Sequence, residues 1–267
     1  MTARSELRRS PRQRTWFLEP LLGPDLSERV LQVELMDEEG LAPSEHLHAL
    51  KALAMVNRLS LTAGRVWREV RRLARARRHV ARREAGHSGP RPLRHLDVAC
   101  GGGDVPRALK RRALRERVPL EVHGCDVSPL AVAHAEGRAR EEGLDVNFFQ
   151  LDALRASIPG GFDLICSSLF IHHLTDDEVV SLLSRMAEAG RALLLQDLVR
   201  SRSGWWLAKI TLNVLSRSRV AQVDGLRSVQ ASYRIPEIAS LARRAGLVGA
   251  EVSSSWPQRF TLSWSRA

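Results

Sequence analysis

"HLDVACGGGDVP", His95 to Pro106, sets a short apolar run against three consecutive glycines and then a carboxylate. Apolar residues running into glycine mark a strand that ends in a tight turn, and Asp104 with Pro106 behind it opens a helix. Glycine holds nothing off with a side chain and tolerates positive φ, so such a turn brings the backbone close to a ligand. The alternation continues downstream. Strands are predicted over Arg94–Ala99, Leu120–Cys125, Val146–Leu151, Phe162–Leu169 and Ala192–Asp197. Helices are predicted over Asp104–Arg117, Pro129–Glu142, Asp176–Ala189 and Pro236–Ala245, with closing strands near Val248–Ser253 and Arg259–Ser263. This spacing specifies an α/β fold, a Rossmann-like doubly wound seven-stranded sheet. The last two strands have no helix between them and predict an antiparallel C-terminal edge hairpin.

Upstream, residues 1–42 are polar and proline-punctuated and predict a mobile arm with one short helix near Ser27–Met36. Residues 43–91 predict a helical cap and linker. "SEHLHALKALAMVNRL" places Leu47, Leu50, Leu53, Ala54 and Val56 at helical spacing, and a second, basic amphipathic helix runs from about Thr62 to Arg83. "GHSGPRP", Gly86–Pro92, is the linker, and 92–267 is the ligand-binding domain with a lid insertion at about 199–233.

With 267 residues and 44 % hydrophobic content the chain buries a full core, which excludes global disorder. The net charge of +11, 41 Lys and Arg against 30 Asp and Glu, comes almost entirely from arginine, so a bias toward that residue accounts for it as well as an anionic partner does. Cys100, Cys125 and Cys166 each sit in an apolar run without metal-ligand spacing and read as reduced core thiols of a cytoplasmic protein, with no metal expected. "MTARSELRRSPRQRTWF" has arginines without an apolar stretch behind them and does not read as a secretory signal. No stretch approaches the ~20 apolar residues of a membrane span.

In doubly wound sheets ligands sit beyond the carboxyl ends of the strands where strand order reverses, and Gly101–Gly103 occupy that turn. Dinucleotides and S-adenosylmethionine (SAM) both use it. The dinucleotide fingerprint G-x-G-x-x-G needs a third glycine where this chain has Pro106. Asp104 at the start of the helix and Asp97 before the glycines repel a pyrophosphate but suit a sulfonium and an ammonium. Asp126 ends the second strand, where a carboxylate accepts from ribose hydroxyls, although Asp is also a helix cap. Asp152 in "FFQLDALRA" ends the third strand and suits the adenine amino group with Leu151 and Ala153 lining the ring; helix capping is again the competing role.

"HLDVACGGGD", "CDVSPLAVAHA", "QLDAL" and "FDLICSSLFIHHL" resemble the ordered motifs of class I SAM-dependent methyltransferases, over roughly Pro92 to the C-terminus. "LDVACGGGD" is similar to the ubiquinone and menaquinone biosynthesis group in particular. The resemblance implies that Asp97, Gly101 and Gly103 hold the methionine part of SAM, Asp126 the ribose and Asp152 the adenine, with Ala99, Asp104, Val127, Ala153 and Ser168 around them. Ala99 stands where the family usually has its first glycine. Ile171-His172-His173 stands where quinone enzymes usually carry Arg-Asn-Val, which points to a related small-molecule acceptor. The whole chain also resembles bacterial members that look like tailoring enzymes for polyketide or phenolic products.

An acceptor hydroxyl with a pKa near ~10 needs a base, and a histidine near ~6.5 is suited to the task. His173 and His172 are the candidates, and strand alternation lets only one of them face the methyl group. Asp197, Tyr233 and Asn57 are further polar candidates for the acceptor side. In the insertion, Trp205, Trp206, Leu207, Ile210, Val214 and Leu215 form an apolar stripe bracketed by arginines. Core packing, a lining for an apolar aromatic acceptor with Trp205 in contact, and a peripheral membrane contact all explain it. The expected activity is O- or C-methylation of a small phenolic, quinone-like or polyketide acceptor. The rivals are an RNA methyltransferase tracking phosphates along Arg65–Arg94, a non-catalytic SAM-binding scaffold and a nicotinamide oxidoreductase. Nucleic acid is the weaker partner, because the basic stripe lacks interleaved aromatics apart from Trp67, Cys166 has no proline before it, and no Asn/Asp-Pro-Pro-aromatic tetrad follows the fourth strand.

Overall fold

The structure is a computed structural model that describes residues 23–35, 42–83, 91–215 and 218–266. Two helices lead, α1 (Pro43–Leu59) and α2 (Thr62–Arg83). They are followed by β1 (Leu93–Val98), α3 (Asp104–Glu116), β2 (Leu120–Asp126), α4 (Pro129–Glu141), β3 (Asn147–Gln150) and β4 (Leu164–Ser168). A 3-10 turn at Ile171–His173 leads to α5 (Asp176–Ala189), β5 (Ala192–Leu198), α6 (Arg202–Leu215), α7 (Arg219–Ala231), α8 (Ile235–Arg244), β6 (Glu251–Ser255) and β7 (Arg259–Ser265).

The seven strands form one sheet in the order β3-β2-β1-β4-β5-β7-β6. β1 to β5 are parallel, and β7 runs antiparallel between β5 and β6, which places the predicted hairpin at the edge. Strand order reverses between β2-β1 and β1-β4, so the carboxyl end of β1 is the switch point where such sheets bind ligands.

Strand alternation divides the core. Leu96, Val98, Ile165, Leu193 and Leu195 face α5 and α8, while Leu93, Val122, Leu164, Cys166 and Leu194 face α2 and α3. Val66, Trp67 and Val70 of α2 are buried in that second cluster, so the described part of this helix and the sheet share one core. The three cysteines are buried free thiols.

The helix expected near Ser27–Met36 is absent over Ser27–Glu34, and Met36 lies outside the described residues. The segment is extended because its polar groups are bound elsewhere: Val30 N–H donates to Gln230 O at 3.1 Å and Leu35 N–H to Asp224 Oδ1 at 2.7 Å. Arg29 donates to the His172 and Leu174 carbonyls. Tertiary partners outweigh a weak local preference. The arm before Gly23 and the linker from Gly86 to Pro90 lie outside the described residues.

Candidate active site

The glycine turn carries the backbone its composition predicts. Gly101 and Gly103 have φ of +51° and +69°. A Cβ on Gly103 would stand 2.7 Å from Phe148 and 2.8 Å from Ala135, so close packing as well as conformation requires glycine there. Ala99 adopts φ +55°, a left-handed backbone that glycine enters freely. The loop thus holds a non-glycine residue in a strained backbone conformation. That strain costs about 1–2 kcal/mol and glycine's extra chain entropy about 0.5–1 kcal/mol, so Ala99→Gly is expected to stabilise by roughly 0.5–1 kcal/mol in urea unfolding. A destabilised variant would show that the methyl group earns its place by packing.

Three carboxylates surround this loop. Asp97 is buried at the end of β1, with Oδ1 lacking a partner. Burial, reinforced by the nearby Asp104 and Asp126, pushes its pKa well above the carboxylate range. Burial also raises Asp104, against the opposing pull of Arg107 and a 3.5 Å bond from Asn57 Nδ2. Asp126 accepts from Gly101 N–H at 2.8 Å and Ser128 N–H at 3.0 Å, which ties the loop to the end of β2. Ser167 Oγ and Ser168 Oγ at the end of β4 are buried without partners as well. Crowded carboxylates and orphaned oxygens form a site that a cation would relieve.

Asp152 Oδ1 accepts from Leu154 and Arg155 N–H at 3.0 and 3.2 Å, so it caps the turn after β3. Ala153 is buried in the sheet core and Val127 is exposed beyond β2.

Beside the loop, α1, α6 and α7 enclose a largely apolar cavity of about 290 Å³ lined by Ala49, Leu53, Leu169, Leu207 and Leu212 among others. α1 serves both places: Leu50 stands 3.5 Å from where a Gly101 Cβ would lie, while Ala49 and Leu53 line the cavity. Its polar lining includes Glu34, His172 and His173 on one wall, with Asp224, Gln258 and Arg259 elsewhere. Both histidines sit in the 3-10 turn rather than in a strand, so alternation does not separate them. His172 Nε2 lies 3.5 Å from Glu34 Oε1, His173 Nε2 lies 3.8 Å from Glu34 Oε2, and the two rings stack at 4.3 Å.

Their charge states differ. Burial disfavours the His172 imidazolium, but Asp197, 2.7 Å from Nδ1, and Glu34 outweigh it and hold the pKa at about 10. His173 is lowered to about 4, first by burial and then by the His172 cation. At neutral pH His172 is therefore an imidazolium between two carboxylates and His173 a neutral imidazole, its side chain 24 % exposed. Glu34, His172 and His173 also bring donor atoms within 4.8 Å of one another, the spacing of a divalent-cation site, although the proton on His172 competes for the same lone pair.

The groups expected on the acceptor side are placed elsewhere. Asp197 is buried against His172 and receives Leu198 N–H. Tyr233 is buried, its hydroxyl donating to Leu174 O and Asp176 and accepting from Arg29. Asn57 joins Asp104 to Thr62, whose hydroxyl donates to Asn57 Oδ1 at 3.1 Å. Trp205 packs with Leu26 and Val229, so the stripe turns this ring toward the core while Ile210 and Val214 are exposed. None of these four lines the cavity. The residues that sequence reasoning missed are Glu34, delivered by a segment read as a helix, and Arg259, which opens β7 and is 1 % exposed. The basic stripe is partly spent on protein contacts: Arg77 and Arg91 both pair with Asp163 at 3.0 Å, and Arg72 with Glu69 at 2.6 Å.

A family described as "Methyltransferase domain" matches residues 96–192, the span from β1 to the start of β5. Residues 96–192 are thus the part of the chain that is similar to a methyltransferase domain. The chain is 30 % identical over 155 residues to a ubiquinone biosynthesis O-methyltransferase of Methylococcus capsulatus, covering 57 % of this chain and 62 % of that one. It is 35 % identical over 108 residues to a demethylmenaquinone methyltransferase of Thermus thermophilus, covering 39 % and 47 %. The chain thus spans less than two thirds of the length of both relatives. A SAM-dependent methyltransferase from Aquifex aeolicus superposes with a TM-score of 0.54 at 17 % identity, over 84 % of this chain and 98 % of that one. The SAM-dependent methyltransferase SibL gives 0.51 at 21 % identity, over 66 % and 51 %. At these identities the likeness establishes the fold. Among the described residues no helix is long and apolar enough to cross a membrane.

Proposed function

We propose that this methyltransferase domain binds SAM at the Gly101–Gly103 loop and methylates an oxygen, or an acidic ring carbon, of a small and mainly apolar aromatic acceptor held in the adjoining cavity. The observation that carries the reading is the pairing of a carboxylate-crowded glycine loop with an apolar cavity walled by a neutral histidine. Asp97, with its unpartnered Oδ1, and the orphaned serine hydroxyls of β4 fit the methionine ammonium, and Asp126 retains lone pairs for ribose hydroxyls. SAM supplies a methyl group that already carries its leaving group. The protein therefore has to hold the acceptor in line, exclude water and take one proton. His173 takes the acceptor proton, and Glu34 stabilises the imidazolium that forms. His172, locked as a cation by Asp197, fixes Glu34 in place. Activity that persists in excess chelator would assign the wall to proton chemistry; activity lost to chelator and restored by a divalent ion would replace this account.

Calorimetry tests the cofactor assignment. Wild-type protein should bind S-adenosylhomocysteine, and Asp126→Ala should weaken that binding by ~1–3 kcal/mol, the loss of charge-assisted hydrogen bonds. Binding of NADH in its place would overturn the assignment.

A further inference from the structure

Arg259 has no role in the chemistry described so far, yet it is the largest side chain buried to this extent. It lies just beyond the β6–β7 turn and lines the acceptor cavity. Nη1 donates to Thr62 Oγ1 at 2.9 Å, while Nη2 is buried with no partner. Among the described residues no carboxylate comes within 4 Å of this guanidinium; Asp197 and Asp104 act on it only from longer range. Burial lowers its pKa to about 10, which leaves it charged at neutral pH. Arginine is almost never fully buried without a partner, because losing water without an ion pair or a full set of hydrogen bonds costs several kcal/mol.

The guanidinium is also held in place rather than stranded. Thr62 accepts from Nη1 and donates to Asn57 Oδ1, and Asn57 in turn donates to Asp104, so a chain of side chains runs from the glycine loop to the cavity wall. A charged donor fixed in this way loses little entropy when a ligand arrives. Gln196, also buried, donates to Thr62 O at 3.3 Å and steadies the same residue from β5. The rest of the wall is apolar apart from the Glu34 cluster, a few hydroxyls, Gln258 and Asp224, so a neutral acceptor would bring no charge to pair with the guanidinium.

We propose that Arg259 recognises an anionic oxygen on the acceptor, so that the substrate class is an aromatic hydroxy acid, with an apolar ring body and one carboxylate, and not a neutral phenol. This rests on the methyltransferase reading and adds to it the one charged group the cavity selects. A carboxylate also occurs on the methionine part of SAM, and the experiment separates the two sources.

Binding of 3-hydroxy-2-naphthoate and of its methyl ester is measured by calorimetry, with and without S-adenosylhomocysteine, for wild type, Arg259→Gln and Arg259→Lys. Wild type is expected to bind the acid at least ~10-fold more tightly than the ester, a difference typical of a charge-assisted bond. Arg259→Gln should erase that preference, and Arg259→Lys should keep part of it, since lysine retains the charge without the planar fork. Equal binding of acid and ester by wild type overturns the proposal, a result that needs no variant to fold. So does an Arg259→Gln protein that keeps the preference. Loss of S-adenosylhomocysteine binding in Arg259→Gln, with the acid-to-ester preference intact, would assign the guanidinium to the cofactor carboxylate. Failure of wild type to bind S-adenosylhomocysteine would instead strike the methyltransferase reading.

Discussion

His173→Ala is expected to lower methyl transfer by about 10² or more while leaving S-adenosylhomocysteine affinity nearly unchanged, the signature of a group that acts in the transition state. The reason lies in the two charge states. His172 already carries its proton, sandwiched between Asp197 and Glu34, and has no lone pair to offer. His173 is neutral and lines the cavity, so it is the imidazole assigned to an acceptor hydroxyl in this reading. Its low pKa makes it a reluctant base, and the Glu34 carboxylate 3.8 Å away keeps it from being lower still by favouring the imidazolium. Glu34→Gln should therefore also slow turnover, through kcat more than KM. A His173→Ala enzyme with unchanged kcat at saturating acceptor would leave positioning alone as the source of rate, and Glu34 would lose its role with it.

Which parts of this site were readable in sequence follows from how local each signal is. The strands, the glycine loop and Asp97, Asp104 and Asp126 are fixed by neighbours within a few residues, through periodicity of two or 3.6 and through turns that only glycine makes easily. Ala99 shows the limit of residue identity: the backbone is left-handed although the residue is not glycine. Glu34 was hidden because nothing near it in sequence announces a partner. The extended path of Arg29 to Glu34 exists only because His172, Leu174, Gln230, Asp224 and Ser228 meet it in space. Trp205 was left open between core and acceptor for a related reason. A helical stripe of apolar residues has a core side and a cavity side, and spacing alone does not say which is which; the contacts with Leu26 and Val229 decide it. Arg259 reads in sequence as one more basic residue of an arginine-rich chain, and only its burial singles it out.

The buried pair His172–Asp197 should make stability fall at alkaline pH. The folded pKa of His172, about 10, lies above the unfolded value near ~6.5, so its contribution is fully present below pH ~6.5 and is lost as pH rises through about 10. Asp197 and Glu34 shift the other way: burial opposes it, but the His172 cation holds both below the usual carboxylate range. Their contribution is present above pH ~4–4.5 and is lost as pH falls through their folded values. The contribution of these three groups should therefore peak between about pH 5 and 6.5 and decline above it, by at most about 1.4 kcal/mol per pH unit for one proton. Asp197→Asn removes the charge that holds the proton on His172. Breaking a buried pair on one side costs about 3–5 kcal/mol, which for a chain of this size lowers Tm by roughly 6–20 °C. The decline between pH 6.5 and 10 should shrink in the same variant, since its histidine no longer releases a strongly held proton on that limb. Thermal unfolding across this range, for wild type and variant in parallel, reads both effects. A variant as steep as wild type would mean that His172 owes its proton to Glu34 alone, and that Asp197 serves only to orient the ring.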